Sequence, residues 1–81
     1  MATILYFSTT TCGPCKMFKP IVTETLGSRV VYVDAQQSPD LASKYGVTAV
    51  PTMIVAEGNT VLKRHTGVMS KQQLVQFASN A

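Results

Sequence analysis

Thr3-Ile4-Leu5-Tyr6-Phe7-Ser8, followed after Thr9-Thr10 by Thr11-Cys12-Gly13-Pro14-Cys15-Lys16, is the stretch that decides the fold. The first six residues are apolar on both alternating faces, the pattern of a central strand covered by helices on two sides. From Pro14 the period changes: Cys15, Phe18, Val22 and Leu26 recur at helical spacing, while Lys16, Lys19 and Glu24 fall elsewhere. Gly27 supplies a C-terminal stop. Pro20 lies inside this helix, where it removes a backbone donor and predicts a bend after about two turns. A strand therefore runs into a helix, and the junction carries both cysteines of the chain.

Two residues separate Cys12 from Cys15, so the sulfurs can close a small ring with little backbone movement. A structural staple ties distant segments together, and a ring this small adds little stability, so the spacing reads as a redox couple. A helix start is electropositive, because free N–H groups and the helix dipole favour an anion there. That lowers the pKa of the thiol facing it. Cys12, at or just before the N-cap, is the expected nucleophile with a moderately lowered pKa. Cys15, in the first turn and expected to be covered, is the resolving thiol.

Further along, Arg29 to Asp34 reads as a second strand, parallel to the first through a right-handed crossover. Ser38-Pro39-Asp40 opens a second helix with a capping hydroxyl, a proline at the first position and an acid in the first turn. Leu41, Ala42 and Tyr45 form its expected inner face and Gly46 ends it. Thr52 to Ala56 and Thr60 to His65 read as a hairpin around Glu57-Gly58-Asn59. Ser70 with Gln73 is a capping-box signal for a last helix that turns Leu74, Phe77 and Ala78 to the sheet. The order is βαβ, α, ββα.

With 81 residues, 46% of them hydrophobic and 14% charged, the chain suits one globular domain spanning 1–81 and is far from the composition of a disordered segment. Met1 leads directly into the first strand without a basic leader or a small-residue cleavage site, and no apolar run has the length of a membrane span. These features predict a cytoplasmic protein without membrane contact, where a C-x-x-C pair is catalytic or metal-binding rather than a permanent bridge. Of the seven Lys and Arg behind the formal charge of +3, Lys16, Lys19, Lys44, Lys63, Arg64 and Lys71 are scattered without an aromatic-rich basic block, so no nucleic-acid partner is expected. Tetrahedral zinc needs four ligands, and beyond the cysteines only His65 is a soft candidate, so no metal site is expected. Met17, Met53 and Met69 are read as packing or groove-lining residues.

Three separated blocks resemble the thioredoxin family, in the family's order. Cys12-Gly13-Pro14-Cys15-Lys16-Met17 is followed by Pro20, Lys44-Tyr45-Gly46-Val47 by Val50-Pro51-Thr52, and Gly67-Val68-Met69-Ser70 leads into the last helix. The resemblance implies an α/β thioredoxin-like fold with a four-stranded mixed sheet flanked by helices. It implies a monomeric protein-disulfide reductase that needs no cofactor beyond the Cys12–Cys15 disulfide. Its partners would be a thioredoxin reductase and disulfide-containing clients, ribonucleotide reductase among them, and its couple would be reducing, near about −270 mV. Cys12, Cys15, Gly13 and Pro14 would be catalytic. Pro51 would be cis and beside the disulfide, with Thr11, Val50, Thr52 and Gly67 completing the substrate groove.

This chain departs from the family's pattern in three places. It starts directly with the strand that leads to the cysteines, as glutaredoxins do. Thr11 stands where the family has a tryptophan, and Tyr6 where it has a buried aspartate thought to deprotonate the resolving thiol. Tyrosine, with a reference pKa near ~10, is no evident substitute. A glutathione-dependent glutaredoxin is the nearest alternative, although Gly67-Val68-Met69-Ser70 offers one glycine and no acid where that family has Gly-Gly and Asp. A rigid binding module that uses the fold as a subunit is the other.

Overall fold

The computed structural model describes residues 2–79. Strand β1 (Thr3–Ser8) leads to helix α1 (Gly13–Leu26), a short 3₁₀ turn (Gly27–Arg29) and β2 (Val30–Asp34). Helix α2 (Pro39–Lys44), the hairpin β3 (Thr52–Glu57) and β4 (Thr60–Thr66), and helix α3 (Lys71–Ala78) complete the chain. The sheet order is β2-β1-β3-β4, with β1 parallel to β2 and antiparallel to β3. The expected βαβ-α-ββα order and mixed four-stranded sheet are what forms.

The two-sided apolar pattern of β1 builds two cores. Ile4 and Tyr6 face one side, where they join Met53 and Val55 of β3, Phe18, Val22 and Leu26 of α1, and Leu74 and Ala78 of α3. Leu5 and Phe7 face the other, with Ile54 and Ala56 of β3, Val33, and the partly buried Ala42, Tyr45, Val47 and Val50. Period-two alternation with apolar residues at every position is what a strand needs when helices cover both faces.

Four local expectations are corrected. Arg29 belongs to the 3₁₀ turn rather than to β2, because Gly27, at φ 54° and ψ −124°, takes a positive-φ conformation that stops α1, and the chain needs one further turn to reach the sheet. Ser38 is the N-cap of α2, but its hydroxyl makes no capping bond, since ψ of 61° lies outside the extended region that aims such a side chain at the first N–H groups. Leu41 is exposed: α2 is six residues long and its inward stripe is Ala42 with Tyr45, leaving Leu41 a quarter-turn away. Met17 is 77% exposed, so the packing half of the expectation holds for Met53 and Met69 and not for Met17.

The hairpin carries a register shift between Val55 and Ala56: Val55 lies opposite Lys63 and Ala56 opposite Val61. Leu62 is the extra residue, and it lies on the exposed face of β4 with Thr60, Arg64 and Thr66, where its apolar side chain is half exposed. On α3, the Ser70 hydroxyl accepts from Gln73 N and the Gln73 side chain accepts from Ser70 N, the capping box expected from the spacing. Helix α1 continues through Pro20 to Leu26.

Candidate active site

Cys12 is the N-cap of α1, with extended backbone (φ −82°, ψ 110°). Its Sγ accepts a hydrogen bond from Cys15 N at 3.1 Å, as a serine or aspartate oxygen does at the same position. The sulfur thus lies where the orphan N–H groups of the first turn converge, and a thiolate there is stabilised by a charge-assisted bond. Cys12 is half-buried and Cys15 is 3% exposed, so one sulfur is open to a partner and the other is covered. The two are joined as a disulfide with a Cα–Cα separation of 5.2 Å. Pro14 occupies the first turn, where its missing N–H would have had no intrahelical partner. Beside Gly13 the backbone faces open space, and Thr11 is exposed.

Sheet topology brings the remaining residues to the same end of the molecule. Thr52 pairs with Phe7, so Pro51 stands alongside the end of β1 and the loop that carries Cys12. The Val50–Pro51 peptide bond is cis. Pro51 is buried and its carbonyl accepts from Gly67 N at 2.8 Å, a bond that Gly67 makes at φ 106°, where a side chain would be strained. Thr52, 1% exposed, donates its hydroxyl to Ala49 O at 2.6 Å. Val50 is half-buried. His65 packs edge-to-face on Phe77, away from the cysteines. Among the described residues no group of three His, Cys, Asp or Glu side chains is placed to hold a metal.

Three features of this site are not apparent from residue spacing. A cavity of about 450 Å³ reaches Cys15 and is bordered by the hydroxyls of Ser8, Thr9 and Thr10, by Lys16 and Lys19, and by Tyr32 and Asp34. Arg64, on β4, donates to Tyr45 O and Gly46 O, tying the C-terminal end of α2 and the start of the loop toward Pro51 to the sheet. Tyr6 is fully buried and donates its hydroxyl to Cys15 O at 3.2 Å. Its sequence signals are its place on the same face of β1 as Ile4, the face that α1 covers, and its standing where the resembled family has an aspartate; neither announces a bond to the Cys15 carbonyl.

Burial, reinforced by neighbouring Tyr32, pushes the Tyr6 phenol up to about 12. An acid whose folded pKa lies above its unfolded value of ~10 binds a proton in the native state that the unfolded chain has released, so stability falls as pH rises between these values. Over that window Tyr6 should remove roughly 2–3 kcal/mol. Denaturant titrations from pH 9 to 12 should show this slope in the wild type and lose it in Tyr6→Phe. Equal slopes in the two proteins would refute the assignment.

The sequence profile of the thioredoxin family matches residues 1–80. A chloroplastic thioredoxin Y2 of Arabidopsis thaliana is 38% identical over 80 residues, covering 93% of this chain and 48% of its own. A bifunctional thioredoxin reductase/thioredoxin of Mycobacterium leprae is 33% identical over 79 residues, covering 91% of this chain and 17% of its own. The chain thus spans about half the length of the plant relative and a smaller share of the two-function protein. The crystal structure of mitochondrial thioredoxin 3 from Saccharomyces cerevisiae, in its oxidized form, superposes with a TM-score of 0.84 at 28% identity, over 99% of this chain and 78% of that one. The profile match over nearly the full length, the shared fold and the cysteine pair at the start of α1 agree: the chain belongs to the thioredoxin family.

Proposed function

We propose that residues 1–81 act as a single-domain protein-disulfide reductase. One observation carries the reading: the half-buried sulfur of Cys12 caps α1 and accepts from Cys15 N, while Cys15 is covered and already bonded to it. In the dithiol form, Cys12 thiolate attacks one sulfur of a client disulfide and the other client sulfur leaves as a thiolate. The covered Cys15, once deprotonated, attacks Cys12 Sγ and releases the second client thiolate. The client gains two electrons and the Cys12–Cys15 disulfide returns, with no further cofactor. Gly13 and Pro14 keep the turn narrow. Thr11, Val50, Pro51, Thr52 and Gly67 form the wall along which an extended client segment lies, a reading supported by the pairing of Thr52 with Phe7 and by the bond from Gly67 N to Pro51 O.

A thioredoxin reductase is the proposed electron donor, a reading supported by the Mycobacterium leprae relative whose name joins the two activities. Disulfide-containing proteins, ribonucleotide reductase included, are the proposed acceptors. The protein is proposed to work as a cytoplasmic monomer, without nucleic acid or membrane. Insulin reduction coupled to NADPH and thioredoxin reductase, run beside glutathione with glutathione reductase, tests the donor. Turnover with glutathione alone would identify a glutaredoxin, and turnover with neither a binding module.

The same reading sets the poise. The helix start lowers the Cys12 pKa moderately, and equilibration against a glutathione series should give a midpoint near about −270 mV. A midpoint less negative than about −200 mV would make the protein an oxidant or isomerase and end the reductant reading.

A further inference from the structure

The peptide of Cys15 is held from both sides. Its N–H donates to Cys12 Sγ at 3.1 Å, and its carbonyl accepts from the hydroxyl of Tyr6 at 3.2 Å. Among the described residues Tyr6 is the one side chain of the sheet that hydrogen bonds to residues 12–15. The ring that carries this hydroxyl is itself immobilised, 0% exposed and edge-to-face with Phe18 at 5.8 Å and with Tyr32 at 5.9 Å. A rigid donor on a central strand therefore fixes the turn of α1 in which the covered cysteine sits.

We propose that Tyr6 is a positioning residue for thiol exchange, whose hydroxyl anchors Cys15 to β1 so that Cys15 stays in place when the disulfide opens. Two consequences follow, both resting on the reading of Cys12 and Cys15 as a redox couple. With Cys15 fixed, its N–H remains directed at Cys12 Sγ in the dithiol form and stabilises the thiolate there. In the mixed disulfide, Cys15 Sγ remains within reach of Cys12 Sγ, and the displacement is effectively intramolecular. Burial keeps the phenol protonated throughout the pH range of thiol exchange, so the hydroxyl is a permanent donor and takes no part in moving the proton of Cys15.

A second phenol makes the comparison clean. Tyr32 donates to Gly27 O at 3.1 Å and lies 3.4 Å from Thr23 Oγ1, so its hydroxyl anchors the opposite end of α1. Removing it deletes the same atom without touching the cysteine turn. The titratable and charged groups that border the cavity at Cys15 are Lys16 and Lys19 of α1 and Tyr32 and Asp34 of β2, with Tyr6 of β1 behind the turn. All but the last are unchanged in Tyr6→Phe.

The test compares the full chain with Tyr6→Phe and Tyr32→Phe. Thiolate absorbance against pH reads the Cys12 titration, and stopped-flow release of 2-nitro-5-thiobenzoate from its mixed disulfide with Cys12 reads attack by Cys15. In Tyr6→Phe the titration midpoint should rise by about half a unit to one unit, and release should slow by about threefold to tenfold. Tyr32→Phe should change both readouts less than Tyr6→Phe does, because its hydroxyl bonds only the far end of α1. Wild-type values in Tyr6→Phe, or equal changes in the two variants, would overturn the proposal. If Tyr6→Phe does not fold, the wild type decides by NMR: a Tyr6 hydroxyl proton protected from exchange in both redox forms supports the anchor, and loss of protection on reduction overturns it. Both readouts work without a client, so a wild type inactive on insulin would end the functional reading and leave this one standing.

Discussion

Cys12→Ser should abolish reduction of protein disulfides, whereas Cys15→Ser should still attack once and then stop with the client attached. The difference follows from where the two sulfurs lie. Cys12 is at the open N-cap with an N–H directed at it, and Cys15 is 3% exposed behind it. A serine hydroxyl at position 12 is not ionised near neutral pH and cannot displace a thiolate, so turnover should fall to background, a loss of at least about a thousandfold. In Cys15→Ser the attack proceeds and resolution is missing, so a mixed disulfide accumulates. Non-reducing electrophoresis with mass spectrometry on a client bearing one disulfide would show it. An adduct formed by Cys12→Ser through Cys15 would reverse the roles assigned to the two residues.

Phe18→Ala should remove most of the folding stability. The ring is fully buried, edge-to-face with Tyr6, at the centre of the core formed by α1, α3 and one face of the sheet. Truncating a buried phenylalanine costs about 3–5 kcal/mol, through lost transfer energy and the cavity left behind. A chain of this length has roughly 4–12 kcal/mol in total, so the variant should be largely unfolded at modest denaturant. Met17, the preceding residue, is 77% exposed on the same helix, and Met17→Ala should stay within about 0.5 kcal/mol of wild type. Urea titrations of the three proteins would decide. A Phe18→Ala cost below about 1 kcal/mol would mean that the core is not packed as described.

The elements that could be read in the sequence are those specified by short-range chemistry. Apolar residues at four successive positions, Ile4 to Phe7, force a strand to be central, Gly27 stops α1, and Ser70 with Gln73 closes a box within one turn of helix. The cysteine pair was legible for the same reason, since capping and spacing are local. What escaped depends on contacts between distant segments. Arg64 reaches carbonyls 18 and 19 residues upstream, a partnership that exists only once α2 is laid across the sheet. Leu62 is displaced by a one-residue register shift that no alternation announces. Tyr6 has the pattern of an ordinary core residue. Its polar end matters because α1 packs with the Cys15 carbonyl directly over it. Ser38 shows the converse, a correct local signal overridden by the backbone angle that the preceding turn imposes.

The disulfide joins residues only three apart, and this has a thermodynamic corollary. Folding and oxidation form a closed cycle, so the stability difference between oxidised and reduced protein equals the difference in potential between the folded and the unfolded dithiol. Closing so short a loop takes only about 2 kcal/mol of freedom from the unfolded chain, so the unfolded pair behaves nearly as a small flexible dithiol. Any larger gap between the two melting curves then originates in the native cap at Cys12 and the buried surroundings of Cys15. Each ~1.4 kcal/mol of that gap corresponds to ~30 mV. If the oxidised protein melts higher, the native fold makes the pair more reducing than its own unfolded chain. If the reduced protein melts higher, the fold has made it an oxidant. Calorimetry on the two forms thus locates the couple with no partner protein or reference thiol in the cell.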